Sequence, residues 1–190
     1  MDKMQTYNRV QRVLHWTMAA IILVAIALGL WASFLTPGIP VRKALLEVHK
    51  SLGFTAAILI VPRIIYRLFA EVPLLTDDTG RLTRIAAAVA HGTLYGLMLF
   101  MPVTGYMFSA AGGYSLPWFG LYQWPRLFGL DPATAQLGEW LHDHGAWLAY
   151  AVVSLHLAAV GWHHFYKKDG VLSRMLGSSE ARNARVQSSI

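Results

Sequence analysis

The chain has 190 residues, 55% of them hydrophobic and 14% charged, with a formal net charge of +6. That balance excludes a soluble globular domain, whose surface would need far more charge, and marks a polytopic membrane protein. Cysteine is absent, which excludes structural disulfides, thiolate zinc sites, iron–sulfur clusters and covalently attached c-type haem.

Four apolar stretches near the spanning length of about 20 residues run Val13–Leu35, Leu45–Phe69, Ile85–Phe108 and Glu139–Tyr166. They are apolar on all sides with no period of two. Helices in lipid are therefore expected, since only helices and closed barrels satisfy every backbone group there. The first follows Lys3, Arg9 and Arg12, exceeds a signal-peptide core and has no small-residue cleavage site, so it reads as a retained helix. Thr36–Val41 reads as a tight turn, and Val72–Gly80 as a loop that ends in a helix-start signal. With connections this short, sequential helices are antiparallel neighbours, and the expected fold is an all-α antiparallel bundle of four transmembrane helices. The third connection, Gly112–Gln136, is longer and carries Tyr114, Trp118, Phe119, Tyr122, Trp124 and Phe128 among prolines and glycines. It is expected in the interface as an aromatic belt with a short helix, either as a simple anchor or as a lid over the outer end. Residues 1–176 are expected to form one domain, and the polar, serine-rich segment 177–190 a disordered tail.

Lysine and arginine set the orientation. Lys3, Arg9, Arg12, Arg63, Arg67, Arg81, Arg84, Lys167, Lys168, Arg174, Arg182 and Arg185 share one side, whereas Arg42, Lys43, Lys50 and Arg126 occupy the other. The positive-inside rule then puts both termini in the cytoplasm. No basic stretch outside the spans is interleaved with aromatics, so the basicity is a topology signal and nucleic-acid binding is excluded.

His15, His49, His142 and His156 lie on the spans, where a polar ionisable side chain is costly enough to be read as functional. His142 and His156 are 14 residues apart, which places them within roughly 40° of one helix face and about 21 Å apart along it. One helix thus offers a ligand near each membrane surface. His49 opens the second span level with His142, and His15 opens the first level with His156. Zinc fits poorly: no histidines stand at i and i+4, and Asp143 points about 100° away from His142. Two bis-histidine haems b stacked across the bilayer follow, with His15 and His156 on the inner iron and His49 and His142 on the outer.

Other positions join this pattern. Gly145, Ala149 and Val152 on the fourth span, and Gly29 and Gly53 on the first two, are small where a macrocycle would press; ordinary close helix packing is the competing reading. Arg63 lies 14 residues from His49, at the depth where a propionate needs a charged partner, although a snorkelling role competes. His91 competes with His15 for the inner iron and ranks second, as a quinone, propionate or proton-relay residue. His144 faces away from His142, toward the interface. His163, two turns beyond His156 on its stripe, is a candidate for a quinone headgroup or an interfacial polar cap.

The segments YNRVQRVLHW at the N-terminus, VHKSLG opening the second span, MPVTG in the third, LPWFG in the outer loop and WLHDHGAWLAYAVVSLHLAAVGWHHFYKKDGVLSRM in the fourth resemble the bacterial cytochrome b561 family. The resemblance covers nearly the whole chain and implies a four-helix bacterial inner-membrane cytochrome with two haems b, ligated from the first, second and fourth helices. Carried over by position, it implies His15 and His156 for the inner haem, His49 and His142 for the outer, and a non-axial role for His91. It further implies electron transfer between an outer donor and the quinone pool, with superoxide as donor and ubiquinone as acceptor in the best-understood relatives.

Two functional classes follow. One is a self-sufficient superoxide:quinone oxidoreductase that requires no protein partner. The other is a cytochrome b subunit that anchors a dehydrogenase or hydrogenase. Short loops favour the first. A third reading, a histidine-lined ion channel without haem, is separated from both by a haem b spectrum.

Overall fold

The computed structural model describes residues 6–70 and 80–177. Most of the Val72–Gly80 connection, the tail from 178 onward and Lys3 lie outside the described residues. Helix α1 (Arg9–Ser33) starts where the sequence supplies its own cap. Asn8 Oδ1 accepts from the Gln11 amide at 3.0 Å while Gln11 Oε1 accepts from the Asn8 amide at 3.2 Å, satisfying two donors that the first turn leaves open. The following turn passes through Gly38 at φ 93°, a conformation that L side chains rarely adopt. Across it Arg42 Nε donates to the Ala32 carbonyl at 3.2 Å.

Helix α2 (Pro40–Phe69) opens on proline, whose missing N–H would have no helical partner there. Helix α3 spans Arg81–Ala111 and α4 spans Pro132–Trp162. At the head of α4 the Asp131 carboxylate accepts from the Thr134 hydroxyl and from the Thr134 and Ala133 amides. The Thr134 contacts hold this carboxyl below its ordinary range.

All four helices are long and apolar enough to cross a membrane, and the architecture is the expected all-α four-span bundle. Large apolar side chains face outward, Leu68 at 74%, Trp147 at 71% and Leu155 at 70% exposure, as suits surfaces that meet lipid. Helix α1 packs along α2 and α3 along α4. The two pairs meet through α2 and α3, and α4 hardly touches α1 or α2. The α3–α4 contact is close: a Cβ at Gly138 would lie 2.6 Å from the Phe108 backbone nitrogen, and one at Gly145 2.8 Å from Met101 Sδ. Gly145 therefore receives the side chains of α3, and close helix packing wins over the porphyrin reading at that position.

The outer connection holds a hairpin where a short helix was expected. Strands β1 (Pro117–Trp118) and β2 (Tyr122–Gln123) pair antiparallel, because Pro117 and Pro125 interrupt helical bonding and Phe119 and Gly120 both take positive φ, at 50° and 70°. The hairpin is latched to α2. The buried Ser51 hydroxyl accepts from the Phe119 amide at 2.9 Å and reaches the Pro117 carbonyl at 3.2 Å. Trp118 Nε1 donates to Thr55 at 3.1 Å, Lys50 Nζ to the Ser115 carbonyl at 3.0 Å, and Trp124 stacks on Phe54 at 5.2 Å. Ser51→Ala leaves a buried amide unpaired, at a cost of about 1–3 kcal/mol. The Phe119 amide is expected to exchange with deuterium about tenfold faster or more, as read by mass spectrometry in detergent.

At the opposite end α4 passes into a π-turn (His163–Lys167), and Lys168 and Gly170 at positive φ redirect the chain into α5 (Val171–Leu176). Helix α5 lies against the start of α1: Arg12 Nη1 donates to the Leu176 carbonyl at 3.1 Å and Trp16 Nε1 to the Met175 carbonyl at 3.2 Å.

Candidate functional site: histidines within the bundle

The outer pair comes together across the seam between the helix pairs. His49 on α2 and His142 on α4 have ring centres 6.1 Å apart with planes at 89°. Each ring is fixed by a backbone carbonyl of the neighbouring helix, which does not contribute a histidine to this pair. His49 Nδ1–H donates to Ala25 of α1 at 2.8 Å, and His142 Nδ1–H to Met101 of α3 at 3.1 Å. A carbonyl can only accept, so the proton of each neutral imidazole sits on Nδ1, and Nε2 carries a lone pair. Thr104, buried at the same place, has its hydroxyl 3.2 Å from His142 Nδ1.

Such a donor set suits a single metal held by two imidazoles. Two metal–nitrogen bonds of roughly 2 Å placed end to end bring the ring centres to about 6 Å, close to the observed spacing. Hydrogen-bonded Nδ1 atoms fix ring orientation in the way that metal-ligating histidines require.

The inner histidines are arranged differently. His156 on α4 stands with its ring centre 5.7 Å from His91 on α3. His15 on α1 instead accepts at Nδ1 from Arg63 Nη2 at 3.0 Å. The Arg63 guanidinium lies over the Tyr95 ring at 5.8 Å, and its Nε–H is buried with no acceptor among the described residues. His15 and His156 are half-buried and His91 is exposed.

His163 at the start of the π-turn is paired with Asp169 through a short Nδ1 contact. His144 turns away from His142, packs on Trp140 at 4.2 Å and donates to the Trp140 carbonyl at 2.7 Å. Gly53 has nothing within 4 Å of its added Cβ, whereas Gly29 faces the imidazole of His49. The residues missed by sequence reasoning are Ala25, Met101 and Thr104, which orient the outer rings, and Asp169, which orients His163. A glycine four residues after each carbonyl, level with a histidine of the next helix, is the signal that would have found the first two. Asp169 has none, because the π-turn breaks the helical period between it and His163.

These features define a polytopic bundle with imidazoles of separate helices meeting in its interior, a construction suited to a membrane cytochrome. The chain matches the family model for prokaryotic cytochrome b561 over residues 6–178 and belongs to that family. It is 32% identical over 177 residues to cytochrome b561 homolog 2 of Escherichia coli (strain K12), covering 93% of this chain and 94% of the relative. It is 27% identical over 176 residues to a protein of Yersinia pestis named probable superoxide oxidase CybB, covering 90% and 95%. Cytochrome b561 homolog 1 of Escherichia coli (strain K12) is 23% identical over 173 residues, covering 91% and 98%. Membership makes the chain a multi-pass protein of the bacterial inner membrane, in a haem b-binding family of transmembrane electron transfer.

Proposed function

We propose that this chain is a superoxide:ubiquinone oxidoreductase with two haems b, the outer held by His49 and His142 and the inner by His15 and His156. The observation that carries it is the outer pair, 6.1 Å between ring centres with both Nδ1 protons committed to carbonyls. Bound haem b supplies one-electron cycling between Fe(III) and Fe(II), and two axial imidazoles leave no open position for oxygen chemistry at iron.

For the inner site, packing favours His15 over the nearer His91. Helices α3 and α4 are in close contact along their length, so a flat macrocycle between His91 and His156 would have to wedge them apart. Between α1 and α4 no such packing stands in the way. An iron at His15 Nε2 requires the proton on Nδ1, so Arg63 must let go of that atom. Its guanidinium, with a buried N–H lacking an acceptor, then has the charge and donors to hold a propionate. His91 is assigned to quinone or proton relay. His163, oriented by Asp169, is assigned to the quinone headgroup.

Both termini lie in the cytoplasm in this reading, and the β-hairpin faces the periplasm. Arg42, Lys50 and Arg126 are then held near the outer surface by backbone carbonyls, neutral acceptors that leave their charge intact, and Lys43 stands beside them. Together they raise the encounter rate of an anionic donor. Two superoxide anions each give up one electron and leave as dioxygen. One ubiquinone takes the two electrons and two protons to become the quinol.

The support for the enzyme over the partner-anchored subunit is the small docking area: the outer hairpin is folded onto the bundle, with Leu116 at 3% exposure and Pro117 buried. The test gives purified protein superoxide and a soluble ubiquinone analogue with nothing else present. Quinol is expected to form faster than in the protein-free mixture. An unchanged rate would return the chain to the subunit reading.

A further inference from the structure

The two outer histidines are seated by the same device, repeated in the two halves of the bundle. On α1 the Ala25 carbonyl accepts from His49, and a Cβ placed on Gly29 would stand 3.0 Å from His49 Cε1 and 3.1 Å from Nδ1. On α3 the Met101 carbonyl accepts from His142, and a Cβ on Gly105 would stand 3.0 Å from His142 Cε1 and 3.1 Å from Nδ1. In each case the glycine follows the accepting carbonyl by four residues.

Helix geometry explains why glycine is needed. The carbonyl of residue i accepts from the amide of residue i+4, and a side chain at i+4 leans back toward the N-terminus over that same turn. The second lone pair of the carbonyl is thereby covered. Without a Cβ at Gly29 or Gly105 the lone pair is open from the side, and an imidazole of the next helix can lie flat enough against the turn to reach it.

We propose that Gly29 and Gly105 are positioning residues for the outer haem. By uncovering the Ala25 and Met101 carbonyls, they fix the proton of both axial imidazoles on Nδ1 and set the planes of the two rings. Thr104, at the α3 seat only, adds a second acceptor for His142. This inference rests on His49 and His142 being the outer ligands. Helices α1 and α3, which give no ligand to that iron, are thus the elements that orient it.

The test compares haem-loaded Gly29→Ala, Gly105→Ala and Thr104→Val with the control Gly161→Ala, whose Cβ meets nothing within 4 Å. His49→Ala and His142→Ala are measured beside them. Haem loss to an excess scavenger and the low-field electron paramagnetic resonance of each ferric haem are the readouts. Gly29→Ala and Gly105→Ala are expected to release one haem about tenfold faster and to shift its resonance, with the other haem and the control unchanged. Thr104→Val keeps both haems and raises the midpoint potential of one, because a weaker Nδ1–H bond makes a less electron-rich ligand. Wild-type resonances and release rates in both alanine variants, with one haem missing from each histidine variant, would overturn the glycine proposal alone. Full haem content in the histidine variants would overturn the ligand assignment beneath it.

Discussion

His142→Ala is expected to lower the bound haem from about two to about one per chain, with the remaining haem retaining the spectrum and potential of the inner site. The physical basis is the pairing across the seam. His142 is the α4 partner of a ring 6.1 Å away, and alanine leaves His49 as a lone ligand. Second-sphere changes alone commonly cost 10–100-fold in metal affinity, so loss of a ligand is expected to cost more. His49→Ala should give the same product from the other side, and His156→Ala the complementary one, with the outer haem kept. Pyridine haemochrome content against protein concentration, together with a redox titration, reads all three. Two haems in purified His142→Ala would remove this residue from the ligand set.

The second large effect divides His15 from His91. His15→Ala should lose the inner haem, and His91→Ala should keep both. Ring proximity by itself argues the reverse, since His91 is the residue standing 5.7 Å from His156. Packing decides otherwise: α3 lies so close to α4 that Gly138 has room for no side chain against Phe108, and inserting a rigid plate there would disrupt that contact. Haem content of the two single variants checks the argument. One haem in His91→Ala with two in His15→Ala would exchange their roles and leave Arg63 as the partner of a non-ligand histidine.

The spans were legible because lipid imposes a one-sided rule: uninterrupted apolar sequence about 20 residues long has little to become except a helix. The depth of each histidine was equally legible, since a rise of 1.5 Å per residue carries register along a single helix without tertiary knowledge. What a single helix cannot encode is which neighbour it meets. Gly145 was read as room for a porphyrin and is filled by Met101, while Gly29 was read the same way and faces the His49 ring. Both errors come from treating small residues as space before knowing which helix occupies it. The outer hairpin was missed for a different reason. Its strands are only two residues each, too short for any periodicity, and its stability comes from Ser51 and Thr55 on α2, more than 60 positions earlier in the chain.

The division of the bundle into α1–α2 and α3–α4, joined chiefly through α2 and α3, bears on how the molecule is assembled. On the proposed ligation each iron bonds one residue of the first half to one of the second, so the prosthetic groups rivet two leaves of an open book. Insertion of cofactor and closure of the tertiary structure then become one thermodynamic event, as with ligands that bind only the folded state. A cell short of porphyrin would accumulate a splayed, protease-sensitive form of this chain rather than a stable empty one.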